Sequence, residues 1–118
     1  MPHVDIRWRP YEEIQEEQIR SLAKQMPNIC APALSVLGGR QYPPSGIVVK
    51  VNRQSDMDIN IPPILIEVFA TGTPEQIARR HEARQQIIDG IRTHMGNTIV
   101  ENDGSVWLLL PETSFGHL

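Results

Sequence analysis

The sequence contains a single cysteine, Cys30, among its 118 residues, so no disulfide can form within the chain. Chains without disulfides are typical of reducing compartments, and we expect a cytoplasmic protein. Long apolar runs are also missing: residues 61–70, the most apolar segment, include two prolines and a glutamate. A membrane span needs roughly 20 apolar residues, and the chain does not open with a signal-peptide pattern, so we expect no membrane partner.

Cationic residues are scarce as well. The chain has 11 Lys and Arg against 14 Asp and Glu, for a net charge of −3, which argues against a general nucleic-acid partner. It has no glycine-rich phosphate loop, no paired cysteines and no second histidine at metal-ligand spacing after His81-Glu82. We therefore expect no metal and no cofactor. Cys30 is interpreted as a small core residue rather than a nucleophile.

The length and composition indicate one domain over residues 1–118. Hydrophobic residues make up 40% of the chain and charged residues 21%, the balance of an ordinary globular protein. A chain of this size buries roughly 65% of its unfolded surface, enough for one hydrophobic core without disulfides or metals.

The first half of the chain predicts a strand, a helix and a second strand. Val4, Ile6 and Trp8 alternate with polar residues, as in a half-buried strand. A helix is predicted to begin at Pro10 and to stop or kink at Pro27. The apolar segment 30–37 is either a short helix or an irregular packed segment, and breakers at 38–44 predict a loop. The residues 47–51, Ile-Val-Val-Lys-Val, form the clearest strand pattern.

The second half repeats this order. The polar residues 52–60 predict a loop or a hairpin excursion. The nearly continuous apolar residues 64–69 predict a strand buried on both faces. Thr73 followed by Pro74 and Gln76 is a helix-start signature, and Gly96-Asn97 is a helix stop. Residues 106–110 predict a last strand. The fold class is therefore α+β, in the order β-α-β-β-α-β: a four-stranded mixed sheet with two helices on one face.

Such a sheet leaves its other face uncovered. Because the predicted strands carry apolar residues on both sides, that face is expected to be buried against other copies of the chain. We expect a homo-oligomer to form, and residues 47–51 and 106–110 are the candidate strands at the boundary with these copies.

Pro2 is the most distinctive candidate functional residue. It directly follows the initiator methionine, whose removal would leave a secondary amine at the start of a strand. An α-amino group titrates near 8 in water, and burial beside cations would lower that pKa towards neutrality. A base of this kind suits proton abstraction next to a carbonyl. The alternative is that proline merely happens to occupy the second position.

The Met1-Pro2-His3-Val4 start resembles the tautomerase superfamily, which includes macrophage migration inhibitory factor and 4-oxalocrotonate tautomerase. Further similar segments are residues 42–44, 47–51 and 66–69, together with the strand and helix order over nearly the whole chain. The short opening and the ending at residues 115–118 look most like a functionally uncharacterised bacterial branch. The resemblance implies a trimer and an N-terminal proline that acts as the catalytic base.

The resemblance also implies cationic side chains that bind a carboxylate and polarise a carbonyl. Arg40, just before the second strand, and Lys50, on that strand, are the two candidates for binding substrate; a solvated loop charge and an interface lysine are their alternatives. His3, Asp5 and Arg7 are interpreted as a candidate surface cluster. The sequence departs from the better-known enzymes in the proline-interrupted segment 27–39, at the expected pocket rim.

Two functional hypotheses follow. The first is a cofactor-independent tautomerase or isomerase in which Pro2 moves a proton on a small enol or 2-keto acid. Its partner would be a small carboxylate or carbonyl molecule. The alternative is a non-catalytic oligomeric domain of the same fold, with a binding or structural role.

Overall fold

The computed structural model describes residues 2–35, 41–71, 74–99 and 103–110. Its elements follow the β-α-β-β-α-β order that the sequence predicts, with the second helix in two pieces. They are β1 (His3–Trp8), α1 (Glu16–Ser35), β2 (Val48–Arg53), β3 (Ile64–Phe69), α2 (Pro74–Ala78), α3 (Arg80–Met95) and β4 (Gly104–Leu109). None of the helices in these ranges is both long enough and apolar enough to cross a membrane.

The four strands form one mixed sheet in the order β2-β1-β3-β4. β1 runs parallel to β2, β3 runs parallel to β4, and β1 and β3 pair antiparallel in the centre. The predicted mixed sheet is confirmed, and β2 and β4 lie at its edges. The fold consists of two β-α-β halves joined along β1 and β3.

The hydrophobic core lies between this sheet and the helices. Alternate residues of the two central strands are buried there: Val4, Ile6, Trp8, Ile64, Ile66 and Val68. The long helices contribute a matching stripe: Ile19, Leu22, Met26, Cys30, Ile87 and Ile91. α1 and α3 run antiparallel and approach closely at Gly90, where an added Cβ would lie 2.8 Å from Cγ2 of Ile29. The glycine permits this spacing because it has no side chain.

The start of α1 differs from the prediction, because Pro10 does not begin the helix. Tyr11 and Ile14 instead exchange two backbone hydrogen bonds of 3.0 and 2.7 Å, closing a tight turn with Glu12 at a φ of 48°. The turn seats Ile14 in the core, fully buried. Helix geometry begins only at Glu16.

The predicted stop or kink at Pro27 is wrong as a boundary. α1 continues through Pro27 and Pro32 to Ser35, so residues 30–35 are helical. Each proline removes one backbone donor, yet Pro32 is exposed and Pro27 half-buried, away from the deepest packing. The buried stripe on the opposite side of the helix keeps it continuous, since core packing outweighs local propensity. Residues 36–40, including the predicted glycine loop, lie outside the described residues.

The second helical region is interrupted, where the sequence predicts one continuous helix. Arg79 has φ −100° and ψ 8°, outside helix geometry, and it separates α2 from α3. Thr73, the predicted cap, lies outside the described residues. The predicted end is confirmed: α3 stops at Met95, and Gly96 has a φ of 55° that favours glycine.

The face of the sheet away from the helices is open in one chain. On β3, Ile64, Ile66 and Val68 are buried, whereas the alternating residues Leu65, Glu67 and Phe69 are half-buried. The predicted burial on both faces therefore holds for only one face within a single chain. Apolar side chains on the other face include Val48, 41% exposed, and Trp107, 58% exposed.

Candidate functional site

Pro2 lies at one end of the sheet, directly before β1, and is buried. Its carbonyl accepts a 3.2 Å hydrogen bond from the Val48 N–H. The strand registers continue outward by one residue to place Pro2 between Ile47 and Ala70, each 6% exposed. An amine in such apolar surroundings is disfavoured in its charged form. This end of the sheet is therefore a suitable environment for a neutral base.

His3, the next residue, contacts the opposite strand. Its imidazole stacks on the Phe69 ring, with the centroids 4.5 Å apart and the planes inclined by 19°. His3 and Phe69 are directly paired in the antiparallel register, so their side chains project to the open face together. The stack lies next to Pro2 in sequence and links the start of β1 to the end of β3 through side chains.

Of the two cationic candidates, Arg40 and Lys50, the structure describes Lys50. Arg40 lies outside the described residues. Lys50 is exposed and pairs in register with Asp5, so it projects to the open face of the sheet. Lys50 is level with Asp5, three residues beyond Pro2, which corresponds to about 10 Å along the strands. Within one chain, Lys50 therefore lies at a distance from Pro2 and on the opposite face from Val4 and Ile6.

The middle of the open face carries charged groups. Asp5 and Glu67 are opposite each other on β1 and β3, and both are half-buried. Lys50 flanks Asp5 on β2, and Trp107 flanks Glu67 on β4. The residues of the predicted surface cluster, His3, Asp5 and Arg7, do share this face.

Two adjoining cavities of the described part of the chain lie away from Pro2. One, of about 540 Å³, is at the opposite end of the sheet between α3 and β4. Its lining residues are Ile64, Ile66, Ile88, Ile91, Arg92, Gly96, Ile99, Gly104, Ser105 and Val106. A second cavity of about 410 Å³ continues along β4, lined by residues that include Arg80, His81, Arg84 and Trp107.

Cys30 is fully buried and unpaired. Burial raises the pKa of its thiol to about 12, because a thiolate would lose its hydration in the core. The interpretation of Cys30 as a small core residue is confirmed. Across the described ranges there is no group of three or more side chains suited to holding a metal ion.

Sequence reasoning did not identify Phe69 or the Arg92 cavity. Phe69 joins the site only through the β1–β3 register, which depends on two strands about 60 residues apart. The partial signal was His3 at the start of an alternating strand, since its partner had to be an open-face residue. Arg92 gives no sequence signal, because a lone arginine in the last turn of a helix is common.

Comparisons with known proteins identify the fold. No protein-family model matches the chain, and no curated protein matches it. Among solved structures, a fused 4-OT described as an asymmetric trimer aligns with a TM-score of 0.65 at 13% identity, covering 98% of this chain and 91% of that one. Malonate semialdehyde decarboxylase aligns with a TM-score of 0.60 at 16% identity, covering 97% and 90%.

A third structure, of a protein inactivated by 2-oxo-3-pentynoate, gives a TM-score of 0.62 at 16% identity and covers 93% of this chain and 86% of that one. These similarities extend over nearly all of both chains. The chain therefore has the fold of the tautomerase superfamily, as its sequence resemblance predicts.

Proposed function

We propose that this protein is a tautomerase-like isomerase that uses Pro2 as a general base on small enol or 2-keto acid substrates. The observation that carries the proposal is the buried position of Pro2 between Ile47 and Ala70, directly before β1. Once Met1 is removed, the Pro2 nitrogen is a secondary amine. Its apolar surroundings favour the neutral form that can accept a proton.

The proposed reaction is a proton transfer within the substrate. The Pro2 nitrogen takes the hydroxyl proton of an enol, the electron pair of that O–H bond forms the π bond of the carbonyl, and the C=C π pair shifts to the far carbon. The protonated amine then gives its proton to that carbon, where the shifted pair forms the new C–H bond, which restores the free base. The same groups act in reverse on a 2-keto acid. The transfer consumes no oxidant and involves no cofactor.

Arg40 and Lys50 are the proposed partners of the substrate carboxylate. An arginine binds a carboxylate through two parallel hydrogen bonds, which makes Arg40 the stronger anchor. Lys50 projects to the open face, so it would act where that face meets a neighbouring copy. If Arg40 holds the carboxylate equally in the ground and transition states, Arg40→Ala raises KM and leaves kcat nearly unchanged.

A homo-oligomer, with a trimer favoured, is part of the proposal. Trp107, Val48 and the half-buried Leu65 and Phe69 leave apolar surface on the open face. Burying that surface against other copies stabilises the assembly at roughly 25 cal/mol per Å² of apolar area. One structure of the same fold is a fused 4-OT trimer. Sedimentation equilibrium at micromolar concentration is expected to give three times 13.3 kDa, and a persistent monomer would exclude the assembly.

The alternative function is a non-catalytic oligomeric domain. It is favoured by one observation: among the described side chains, the candidate cation Lys50 lies on the open face and at a distance from Pro2. A fold that has lost its activity would need no cation beside the proline. The chemical experiment below separates the two functions.

The test is covalent labelling with 2-oxo-3-pentynoate, the compound that inactivates one protein of this fold. A neutral secondary amine adds to the alkyne, forming an N–C bond while its proton moves to carbon, so the chain gains the mass of one reagent molecule. Digestion and mass spectrometry should locate the adduct on Pro2. A form that keeps an extra N-terminal residue is the matched control, because its proline nitrogen is an amide.

Label on Pro2 in the processed chain but not in the control, with enol ketonisation lost in parallel, supports the proposal. Equal labelling of both forms, or equal turnover of an enol such as phenylenolpyruvate by both, would show that Pro2 is not the base. In that case the non-catalytic alternative becomes the better account.

A further inference from the structure

The two halves of the sheet are related by an approximate twofold rotation whose axis is perpendicular to the sheet. Asp5 and Glu67 face each other across the central β1–β3 pair. A half-turn about their midpoint superimposes β1 on β3 with the same direction along the chain. Pro2, three residues before Asp5, therefore corresponds to Ile64, three residues before Glu67.

This relationship places the 540 Å³ cavity at the counterpart of the Pro2 position. Ile64 lines the cavity, and Gly104, its partner on β4, lies at the mouth. The main chemical difference is the nitrogen: the backbone nitrogen of Ile64 is an amide that donates to the Asp103 carbonyl at 3.2 Å. An amide nitrogen accepts no proton at ordinary pH. A ligand in this cavity therefore has an amide nitrogen at the position that corresponds to the Pro2 nitrogen, and this amide cannot act as a base.

The lining of the cavity defines the chemistry of a ligand. Apolar side chains form part of its walls, and polar and apolar atoms share the cavity surface about equally; the apolar side chains are those of Ile64, Ile66, Ile88, Ile91, Ile99 and Val106. Arg92 contributes the single formal charge among the described lining residues, and it is exposed on the last turn of α3. None of the described carboxylates forms an ion pair with the Arg92 side chain. A pocket that combines isoleucine side chains with one guanidinium among its described lining residues fits a small molecule with an apolar part and one carboxylate.

The mouth of the cavity is open to such a ligand. Gly96 and Gly104 line it without side chains, and a Cβ at Gly96 would meet nothing within 4 Å. A ligand carboxylate at the Arg92 guanidinium would lie near these backbone groups, while its apolar part contacts the isoleucines. The second cavity adjoins through Ile88, Ser105 and Val106 and adds the cations Arg80 and Arg84. Arg80 and Arg84 thus extend the positive charge of the groove along β4.

We propose that this cavity is a second, non-catalytic binding site for small apolar carboxylates. The inference rests on the proposed function in one respect: the expected ligands resemble the proposed substrates. An enzyme that acts on small carboxylates encounters related molecules as substrate and product. The cavity, the Arg92 guanidinium and the isoleucine side chains of the lining stand independently of Pro2. Each chain would then carry one catalytic and one silent site for related ligands.

The test is binding of 4-fluorophenylacetate, followed by fluorine NMR, to protein whose Pro2 has been blocked with 2-oxo-3-pentynoate. If the label does not attach, which would already contradict the proposed function, the form with an extra N-terminal residue takes its place. One molecule of probe per chain is expected to bind, and amide resonances of residues 96 and 104–106 should shift. The neutral amide 4-fluorophenylacetamide should bind at least tenfold more weakly.

Arg92→Gln is the decisive variant, with Arg20→Gln as the matched control. Both arginines are exposed on helices, and Arg20 forms an ion pair with Glu16 at 3.9 Å, away from the cavity. Arg92→Gln should weaken probe binding at least tenfold while Arg20→Gln leaves it unchanged, with equal thermal unfolding for all forms. Absence of binding to the Pro2-blocked protein, or equal binding by the Arg92→Gln and Arg20→Gln variants, would overturn the proposal.

Discussion

The imidazole of His3 lies 4.5 Å from the ring of Phe69, nearly parallel to it, one residue from Pro2. This stack joins the first strand of one half of the fold to the first strand of the other. Because both side chains project to the open face, the contact is made on the side where the core does not reach. It fixes the end of β1 from which the proline nitrogen projects.

We predict that His3 and Phe69 stabilise the fold jointly. A double-mutant cycle with His3→Ala and Phe69→Leu should give a coupling of about 0.5–1.5 kcal/mol in urea unfolding, the range of stacked ring pairs. Arg7 and Leu65, opposite each other on the same strands, form the control pair and should couple less strongly. Equal coupling in the two cycles would mean that the ring contact contributes nothing specific.

The buried face of α3 predicts different costs for two adjacent isoleucines. Ile87 is fully buried, whereas Ile88 is half-buried and lines both cavities beside β4. Ile87→Ala should therefore lower the free energy of unfolding by about 2–5 kcal/mol, and Ile88→Ala by less than half of that. Chemical denaturation of both variants measures the two losses. Equal losses in the free energy of unfolding would contradict the assignment of Ile87, rather than Ile88, to the core face of α3.

Gly90→Ala is predicted to destabilise the protein, although alanine normally stabilises a helix interior by about 0.5–1 kcal/mol. The new Cβ would lie 2.8 Å from Cγ2 of Ile29, so α1 and α3 must separate. The expected loss is about 1–3 kcal/mol, as for other overpacked cores. Gly90→Ala should cost much less in an Ile29→Ala background, and an equal cost in both backgrounds would rule out the clash.

The Cys30 thiol predicts a pH dependence of stability. Because its pKa is about 12 in the folded chain against 9.0 for an ordinary thiol, the folded state keeps a proton that the unfolded state releases. This contribution is complete below about pH 9 and is lost as the pH rises towards 12. The stability difference between wild type and Cys30→Ala should narrow over that interval, whereas parallel pH profiles would contradict the assignment.

Much of the fold could be predicted from the sequence because its signals are local. The alternation of Val4, Ile6 and Trp8 and the apolar residues 64–69 are enough for the central strands, and Gly96 marks the end of α3. The course of α1 through Pro27 and Pro32 could not be predicted, since it depends on packing against α3 and β1. Local proline chemistry alone favours a break there.

The candidate site was predictable only in part, for a similar reason. Pro2 is conspicuous by its position, and its burial follows from the strand that it precedes. Its neighbours Ile47 and Ala70 come from distant parts of the chain and are assembled by strand register. Lys50 shows the limit most clearly: strand periodicity correctly placed it on the side of Val48, yet only the register showed that its neighbour is Asp5.

The order of the strands has a consequence for synthesis on the ribosome. β1 emerges first but occupies the middle of the sheet, so one of its edges stays unpaired until β3 follows. The 61 residues from Arg9 to Phe69 take about 3–12 s to add at roughly 5–20 residues per second. During that interval the nascent chain presents a bare strand carrying Val4, Ile6 and Trp8, the kind of edge to which another strand can add. The Pro2 nitrogen thus reaches its final surroundings only after more than half of the polypeptide has been made.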